Sequence, residues 1–314
     1  FVIVYKLFNG DAAESGIWVS LFGCLGAIGT TFLVIPIITY MSKIWKNGVM
    51  VNELSDGTTD TYTSSIFVSD NDVYVAMTEY TNTGSVAKVW KNGTFTDLTD
   101  GTNEAETGSV YISGSDVYVA GYEIIENIEV AKVWKNGTEF FTTDGINDAY
   151  ASSVVVSGTD VYTVGYKSNG NKTVATIWKN NTPTDLTDGN NNAFATSIYV
   201  VNSDVYVAGT EYNGSNYVAK VWKNGVATDL TDGSKRASVT SLTVSGDDVY
   251  VTGYEWPYKA KLWKNGTDSN LSLNGIGSSQ AHSVIVSNND IYTIGYENNT
   301  SNNSVAKIWK NNIA

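Results

Sequence analysis

The chain of 314 residues contains one cysteine, one histidine and three prolines, and the scarcity of cysteine and histidine excludes classes of site. Cys24 alone cannot form an intrachain disulfide, and with His282 alone it cannot build a zinc site of the usual Cys/His kind. A Ser-His-Asp or Cys-His catalytic centre would have to use His282. Because His282 stands beside a predicted strand, we expect a structural role for it, and we expect no catalytic residue and no enzymatic activity.

Positive charge is also scarce. The 19 Lys and Arg residues are opposed by 32 Asp and Glu residues, which gives a net charge of −13. Nucleic acid is excluded as a partner because its phosphates require a basic surface. The composition gives little basis for a polybasic attachment to anionic lipid, and we interpret the acidity as a contribution to solubility. By contrast, 20 Tyr, 9 Trp and 9 Phe residues favour β-strands.

One stretch near the N-terminus lacks charge altogether. Residues 16–41 are 26 residues without an Asp, Glu, Lys or Arg. A helix of that length can cross a hydrocarbon core of about 30 Å. Trp18 and Tyr40 stand near its two ends, where interfacial aromatic side chains are common. The pattern predicts a transmembrane helix over 16–41 that contacts the lipid bilayer, preceded by a flank at 1–15 that could be the end of an earlier helix.

Three alternatives to a membrane span stay open for this segment. A cleaved signal peptide is less favoured because Asp11 and Glu14 precede the apolar run, where basic residues are expected. A lipoprotein cleavage at Cys24 matches poorly because most of the apolar run follows the cysteine. The third alternative places 16–41 inside a protein assembly, as the hydrophobic stem of a filament.

A tryptophan-containing octapeptide recurs along the chain, in its clearest form VAKVWKNG at 130–137. Its tryptophan returns every 41 to 46 residues, which is the period of a repeat architecture. Each period contains four short alternating segments separated by Gly, Asn and Asp turns, and we name them strands a to d in chain order. A four-stranded antiparallel meander of this length is a β-propeller blade. The tryptophans of the repeat are Trp45, Trp90, Trp134, Trp178, Trp222, Trp263 and Trp309.

Counting the strands predicts an all-β fold in which residues 42–314 form a six-bladed β-propeller of four-stranded antiparallel blades, preceded by the apolar helix at 16–41. Strand a is predicted to begin at Ser65, Ser109, Ser153, Ser197, Ser241 and Ser283. Strand b is predicted to begin at Asp72, Asp116, Asp160, Asp204, Asp248 and Asp290.

The remaining strands predict how the propeller closes. Strand d occurs six times, but its first copy precedes every strand a and the last blade has none after Asn312. We therefore expect residues 49–54 to complete the last blade and protect its edge. Strand c occurs seven times, so the copy at 43–47 or the copy at 306–310 is surplus. In a monomer the surplus strand would cover the edge, and in an assembly it could pair with a neighbour.

The order of an SVxVS strand, a DVYVAGYE strand, an AKVWKNG strand and a TDLTDG strand resembles the propeller repeats of bacterial surface and secreted proteins. It is similar to the broader group that includes NHL-like and SBBP-like repeats. The resemblance covers residues 43–314. It implies the fold and, for function, a binding platform, a scaffold or an enzyme. Lyases of that group rely on histidine-bound metal, and a chain with one histidine departs from their pattern.

Variable loops follow strand b, whereas the a–b and c–d turns are short and uniform. Variable loops on a rigid scaffold usually carry binding. A charged residue ends strand b in every repeat, and in a closed ring these positions encircle the axis. We predict that they bind a cation, or a sugar on which tyrosine faces stack; the alternative is that each ends a strand at the solvent. The predicted ligand-binding set is Glu79, Glu123, Lys167, Glu211, Glu255 and Glu297 with Tyr122, Tyr166, Tyr254 and Tyr296.

A second recurring set is the aspartate of the Asp-Gly pair that follows strand d. Carboxylate and carbonyl oxygens at such turns are calcium ligands, so calcium is the one candidate cofactor. Asp-Gly is also common turn chemistry, and no copy has the spacing of a known calcium loop, so we favour turns without metal. The weak calcium candidates are Asp100, Asp144, Asp188 and Asp232. The strand c tryptophans with their Lys-Asn-Gly are expected to serve blade packing and hairpin closure.

These observations predict a non-enzymatic, membrane-anchored β-propeller that lies outside the cytoplasm, in the periplasm or at the cell surface. It would be a binding or scaffolding subunit whose partners are other membrane or surface proteins, copies of itself, or glycans. The main alternative is a structural subunit of a self-assembling surface filament, with 16–41 in its core. The second alternative is a carbohydrate-active enzyme that uses paired carboxylates of the strand b set, although the equivalence of the repeats argues against one special pair.

Overall fold

A computed structural model describes residues 32–34, 42–46, 49–55, 58–271 and 277–313. The regular secondary structure of these residues is β-strand throughout. The chain divides into two compact units, Phe1–Val154 and Val155–Ala314. As far as the structure describes the chain, no helix is long and apolar enough to cross a membrane.

The strands follow one another along the chain with the period expected from the sequence. The first thirteen are β1 (Phe32–Val34), β2 (Lys43–Lys46), β3 (Val49–Glu53), β4 (Thr61–Ser69), β5 (Asp72–Tyr80), β6 (Ser85–Lys91), β7 (Thr94–Asp97), β8 (Ala105–Ser113), β9 (Asp116–Ile125), β10 (Ile128–Lys135), β11 (Thr138–Thr142), β12 (Ala149–Ser157) and β13 (Asp160–Ser168). The remaining strands are β14 (Thr173–Lys179), β15 (Thr182–Asp185), β16 (Ala193–Val201), β17 (Asp204–Tyr212), β18 (Tyr217–Lys223), β19 (Val226–Asp229), β20 (Ala237–Ser245), β21 (Asp248–Glu255), β22 (Lys259–Lys264), β23 (Thr267–Asn270), β24 (Ser279–Ser287), β25 (Asp290–Asn298) and β26 (Ser304–Lys310).

Six antiparallel sheets begin with strand a of a repeat, and they are the blades of a six-bladed β-propeller. Five of them contain four strands in the order a-b-c-d, namely β4–β7, β8–β11, β12–β15, β16–β19 and β20–β23. The sixth, β24–β26, contains strands a, b and c within the described residues. The predicted all-β class and the four-stranded antiparallel blade are confirmed.

A further sheet of three strands, in the order β1-β2-β3, precedes the blades. Trp45 of β2 lies in register with Leu33 of β1, as Trp90 of strand c lies in register with Val75 of strand b. Strand β2, the first copy of strand c, therefore belongs to a sheet of its own, with β3 as its strand d. Pairing of 49–54 with the last blade is not among the pairings of the described residues, so closure by this segment stays a prediction.

The predicted helix at 16–41 lies outside the described residues except for Phe32–Val34. For these three residues the helical prediction is wrong, because they form a β-strand that pairs with Lys43–Lys46. Aromatic and β-branched residues such as phenylalanine and valine suit a strand once a partner offers its edge. The flank at 1–15 also lies outside the described residues.

Strand a begins four residues earlier than predicted in every blade, for example at Ala105 and not at Ser109. A β-bulge after Thr107 shifts the register, so the alternation of side chains that marks the strand in the sequence is interrupted. Strand a approaches strand b closely here, because a Cβ added to Gly121 would lie 2.1 Å from the Glu106 carbonyl oxygen. Glycine is therefore required at this position of strand b in the second blade.

The core lies between the faces of neighbouring blades, and the strand c tryptophans are its largest members. Trp134 is 2% exposed and packs with Phe67, Tyr74 and Val89 of the preceding blade. Trp309 is 1% exposed and packs with Leu262 of its own preceding blade. Removal of such a side chain costs about 3–5 kcal/mol of stability. The tryptophan period of the sequence is thus the period of blade-to-blade packing.

Each blade has two distinct ends. The a–b and c–d turns lie together at one, which we call the hairpin end, and the b–c and d–a loops lie at the other, which we call the loop end. Asn169 Nδ2 donates a hydrogen bond of 3.0 Å to the Gly189 carbonyl oxygen, which joins the b–c loop to the d–a loop of the same repeat. Asn213 Nδ2 makes the equivalent bond of 3.3 Å to Gly233 in the next repeat.

One contact pattern fastens the hairpin end in all six blades. In the second blade, Asn136 Nδ2 donates to Asp116 Oδ1 at 2.8 Å, and Asn136 Oδ1 accepts from the Val117 amide at 2.9 Å. Lys135 Nζ lies 2.7 Å from Asp116 Oδ2 and 5.2 Å from the centroid of the Tyr118 ring. The hydrogen bonds from Lys135 and Asn136 hold the pKa of Asp116 below its usual value. The same carboxylate in the other blades is Asp72, Asp160, Asp204, Asp248 and Asp290.

Candidate functional site

The predicted strand b set lies at the loop end, and each carboxylate faces the lysine two residues before the strand c tryptophan of its own blade. Glu123 Oε2 lies 2.7 Å from Lys132 Nζ, which is also 2.7 Å from Glu139 Oε2 of strand d. Burial opposes the charged form of Lys132, but the hydrogen bonds to the two glutamates keep its pKa above the usual value. Strands b, c and d are therefore joined by a row of charges across one face of the blade.

The other blades repeat this row with different spacing. Equivalent lysines are Lys88 with Glu79, Lys220 with Glu211 at 3.3 Å, Lys261 with Glu255 at 3.5 Å and Lys307 with Glu297 at 3.8 Å. In the third blade the signs are exchanged, because Lys167 binds Asp185 of strand d at 2.9 Å and Thr176 stands where the other blades have lysine. The carboxylates and the ammonium thus balance charge inside single blades, and their binding of an external ligand stays a prediction.

Aromatic side chains gather at the loop end of the first unit. The rings of Tyr62 and Tyr80 lie 5.3 Å apart edge to face, and the Tyr80 hydroxyl donates a hydrogen bond to Glu106. Tyr122 of the predicted set packs against Tyr150 with centroids 5.3 Å apart. Burial, followed by the hydrogen bond to Glu106, raises the pKa of Tyr80, so its phenol stays protonated. Glu106 is the only carboxylate at its position of strand a, which breaks the equivalence of the repeats.

Two aromatic groups form in the second unit. The ring centroid of Tyr166, a member of the predicted set, lies 5.3 Å from that of Phe194. The Phe194 centroid in turn lies 6.1 Å from that of Tyr217. Tyr217 also packs against Tyr212 at 5.4 Å, and the Arg236 guanidinium lies 5.7 Å from its ring. This group joins strand ends of two neighbouring blades.

The second group surrounds the loop between β21 and β22. Tyr254 of the predicted set lies 5.5 Å from Tyr258, and Tyr258 lies 5.0 Å from Trp256. Tyr296 stacks on His282 at 5.9 Å with an interplanar angle of 28°. Burial, followed by the nearby phenols of Tyr254 and Tyr258, raises the pKa of Tyr296 to about 12. The structure thus gives all four predicted tyrosines aromatic partners at the loop end.

The weak calcium candidates accept hydrogen bonds within their own turns. Asp100 Oδ1 accepts from the Thr102 amide at 2.9 Å and Asp188 Oδ1 from the Asn190 amide at 2.9 Å. Asp144 and Asp232 make the same contact with the amide two residues ahead, at 3.1 and 2.9 Å. Among the residues that the structure describes, no three His, Cys, Asp or Glu side chains form a group that could hold a metal ion.

No family model and no curated protein matches the sequence. Among solved structures, the computationally designed Ika8 protein is similar, with a TM-score of 0.52, 19% identity and coverage of 90% of this chain and 81% of Ika8. A subtype N10 neuraminidase-like protein of A/little yellow-shouldered bat/Guatemala/060/2010 has a TM-score of 0.51 and 8% identity, with coverage of 79% of this chain and 93% of its own.

A sialidase of Trypanosoma rangeli is a further neighbour, with a TM-score of 0.50 and 10% identity. The similarity covers 83% of this chain but only 56% of the sialidase, so this chain spans little more than half the length of that enzyme. At such identities the three similarities show the β-propeller fold alone.

Two features of the loop end were not predicted from the sequence. The lysine two residues before each strand c tryptophan was given no role, although the joint exchange at Lys167 and Thr176 signals its partnership with the strand b carboxylate. The contact between Trp256 and Tyr258 was also not predicted, because both residues lie in a loop whose conformation does not follow from the repeat. The sequence does mark this loop, because Trp256 is the one tryptophan after residue 45 that lies outside strand c.

Proposed function

We propose that this protein is a non-enzymatic, membrane-tethered β-propeller, anchored through its apolar N-terminal segment and placed outside the cytoplasm. It acts as a binding or scaffolding subunit of a cell-surface or membrane complex, and it binds its partner with the loop end. One contrast supports this assignment. The hairpin end repeats the same contacts in six blades, whereas the loop end carries different aromatic and polar side chains from repeat to repeat.

The charges at the loop end favour a partner that is recognised through rings and hydrogen bonds. The strand b carboxylates pair with lysines of the same blade, so their charges are compensated before any partner arrives. Aromatic side chains are enriched at protein interfaces because they bury a large area with few rotatable bonds. The tyrosine groups of the loop end have this character.

Site-specific photocrosslinking tests which end binds. A photoreactive residue at Ser215, in the b–c loop of the fourth blade, should link the full chain to a defined surface or membrane partner in cells. The matched control is Val226, which is 71% exposed and lies beside the hairpin end of the same blade. Equal products from both positions, or products from Val226 alone, would contradict the assignment of the loop end.

Cysteine labelling tests the location separately. The chain has one cysteine, so Cys24→Ser combined with Ser215→Cys places a single thiol at the loop end. A membrane-impermeant maleimide applied to intact cells should label this variant and leave the Cys24→Ser parent unlabelled. Labelling that requires cell lysis would show that the propeller faces the cytoplasm.

A structural subunit of a surface filament is the second candidate, favoured by exposed apolar residues on β3. Val49, Met50 and Val51 are 64%, 39% and 41% exposed, and exposed apolar edge strands promote self-association. Light scattering should compare the full chain in detergent with residues 42–314 without it. Large ordered particles of the full chain that truncation abolishes would support the filament, and a monomeric propeller in both samples would support the tethered module.

A further inference from the structure

Trp256 stands apart from the other tryptophans of the propeller. Those of strand c in the six blades are no more than 4% exposed, because they pack between blades, whereas Trp256 is 52% exposed. It follows strand b of the fifth blade, so it lies at the loop end. An indole left in water forgoes the burial that the other tryptophans obtain, and such residues commonly mark binding surfaces.

The short loop that carries Trp256 is held from both sides. Its amide donates a hydrogen bond of 2.8 Å to the Arg236 carbonyl oxygen, and the Tyr258 carbonyl accepts one of 2.7 Å from the Ser279 amide. The Trp256 and Tyr258 rings meet edge to face at 5.0 Å with an interplanar angle of 64°. The aromatic surface is therefore ordered before a ligand arrives, which lowers the entropy cost of binding.

Charged side chains lie close to this loop. Glu255 and Lys259 are cross-strand partners at the two ends of the loop. The Glu255 carboxylate lies 3.5 Å from Lys261 Nζ, whose shorter contact of 2.5 Å goes to Asp268. The ammonium group of Lys259 lies 2.9 Å from the Gly277 carbonyl oxygen. Because side chains alternate along a strand, the Glu255 carboxylate and its partner Lys261 lie on the opposite face of the blade from the Tyr254 ring.

We propose that Trp256, Tyr258 and Tyr254 form a binding site for a neutral pyranose ring of a glycan. This inference rests on the proposed function, since it names the ligand class of one part of the loop end. The apolar C–H face of the sugar packs on the exposed Trp256 ring beside Tyr258.

Charge distinguishes this ligand from two others that aromatic rings bind. A quaternary ammonium ion would be attracted by the rings, but the carboxylates near the loop, Glu255 and Asp268, are paired with Lys261 and so add little attraction for a cation. A nucleotide or an acidic sugar carries negative charge, which a protein of net charge −13 disfavours. A neutral sugar needs no charged partner at the site.

Binding of the full chain to an array of neutral and acidic glycans tests the inference, followed by titration of the best neutral glycan. Trp256→Ala should weaken binding by about tenfold or more, and Trp256→Phe should retain most of the affinity because it keeps an aromatic face. Phe95→Ala is the matched control, because Phe95 is 44% exposed but lies on the outer strand d of the first blade.

Fluorescence gives a second readout that does not depend on affinity alone. The bound sugar should protect the exposed indole from acrylamide quenching, and this protection should vanish in Trp256→Phe. Equal affinities of Trp256→Ala and Phe95→Ala would overturn the site, as would binding of trimethyl-lysine peptides in place of glycans. Absence of glycan binding in a protein that still crosslinks through Ser215 would overturn the sugar ligand and leave the proposed function standing.

Discussion

Asn136 donates its side-chain amide to the carboxylate of Asp116 at 2.8 Å, which ties the turn after strand c to the start of strand b. The same asparagine accepts the Val117 amide at 2.9 Å, so one side chain serves both strands. Its φ of 51° also places it in the left-handed region that asparagine tolerates. The recurrence of Asp-Val-Tyr and Trp-Lys-Asn in the sequence follows from this contact.

Asn136→Ala should lower Tm by about 2–4 °C, because two hydrogen bonds are lost and a left-handed residue becomes alanine. Asn127→Ala is the control for the cost of placing alanine in the left-handed region, because Asn127 has a φ of 66° in an exposed b–c turn. Thermal unfolding monitored by circular dichroism gives both values. Equal shifts for the two variants would mean that the contact with Asp116 contributes nothing.

Glu123→Gln should lower the free energy of unfolding by about 1–3 kcal/mol, because it removes a charge partner from a buried lysine. Lys132 is 7% exposed, so water cannot replace the lost carboxylate. Asp97→Asn should have no measurable effect, since the Asp97 side chain is 60% exposed. Chemical denaturation measures both, and similar values for the two would show that the row of charges is not stabilising.

The third blade allows the partnership between strands b and c to be tested by exchange. Lys167→Glu should lower Tm by about 1–3 °C, because the new carboxylate would face Asp185. Adding Thr176→Lys gives this blade the residue types of its neighbours and should restore Tm. Failure of the second substitution to rescue the first would contradict the interpretation of these residues as one charge network.

His282 makes stability depend on pH in a predictable direction. Burial lowers the pKa of His282 from 6.5 to about 4, so the folded protein keeps the ring neutral where the unfolded chain binds a proton. Unfolding is therefore favoured as the pH falls from 6.5 to 4, and this single group removes roughly 3 kcal/mol across that window.

His282→Ser introduces the residue found at the equivalent bulge positions Ser64 and Ser152, so it is the matched variant for this measurement. Denaturation at a series of pH values should show that the native protein loses more stability than the variant between pH 6.5 and 4. Carboxylates titrate in both proteins and cancel in the difference. Parallel curves would mean that His282 is accessible to protons in the folded state.

The sequence predicted the repeat and the start of strand b in all six blades, because Asp116 and its equivalents are fixed by contacts within one hairpin end. It predicted the start of strand a four residues late, because the bulge after Thr107 interrupts the alternation on which the assignment depends. The repeated residues make contacts within one hairpin end, so the repeat reveals them. The bulge depends on how strand a pairs with strand b.

The candidate site was also predictable only in part. The position of the strand b glutamates at the loop end was predictable from strand order, but their partners depend on the register between strands b and c, in which Lys132 lies opposite Gly121. The contact between Trp256 and Tyr258 depends on a loop conformation that no periodic pattern encodes. Loop geometry, more than strand order, therefore limits what the sequence says about binding.

The fastening of each hairpin end has an evolutionary consequence. Each repeat carries its own Asp, Lys and Asn contacts, so a duplicated repeat would bring these stabilising contacts with its sequence. Substitutions in the opposite loops leave those contacts untouched. The same scaffold can therefore acquire new specificities by drift at one end while selection maintains the other, and the blades of one chain can diverge independently.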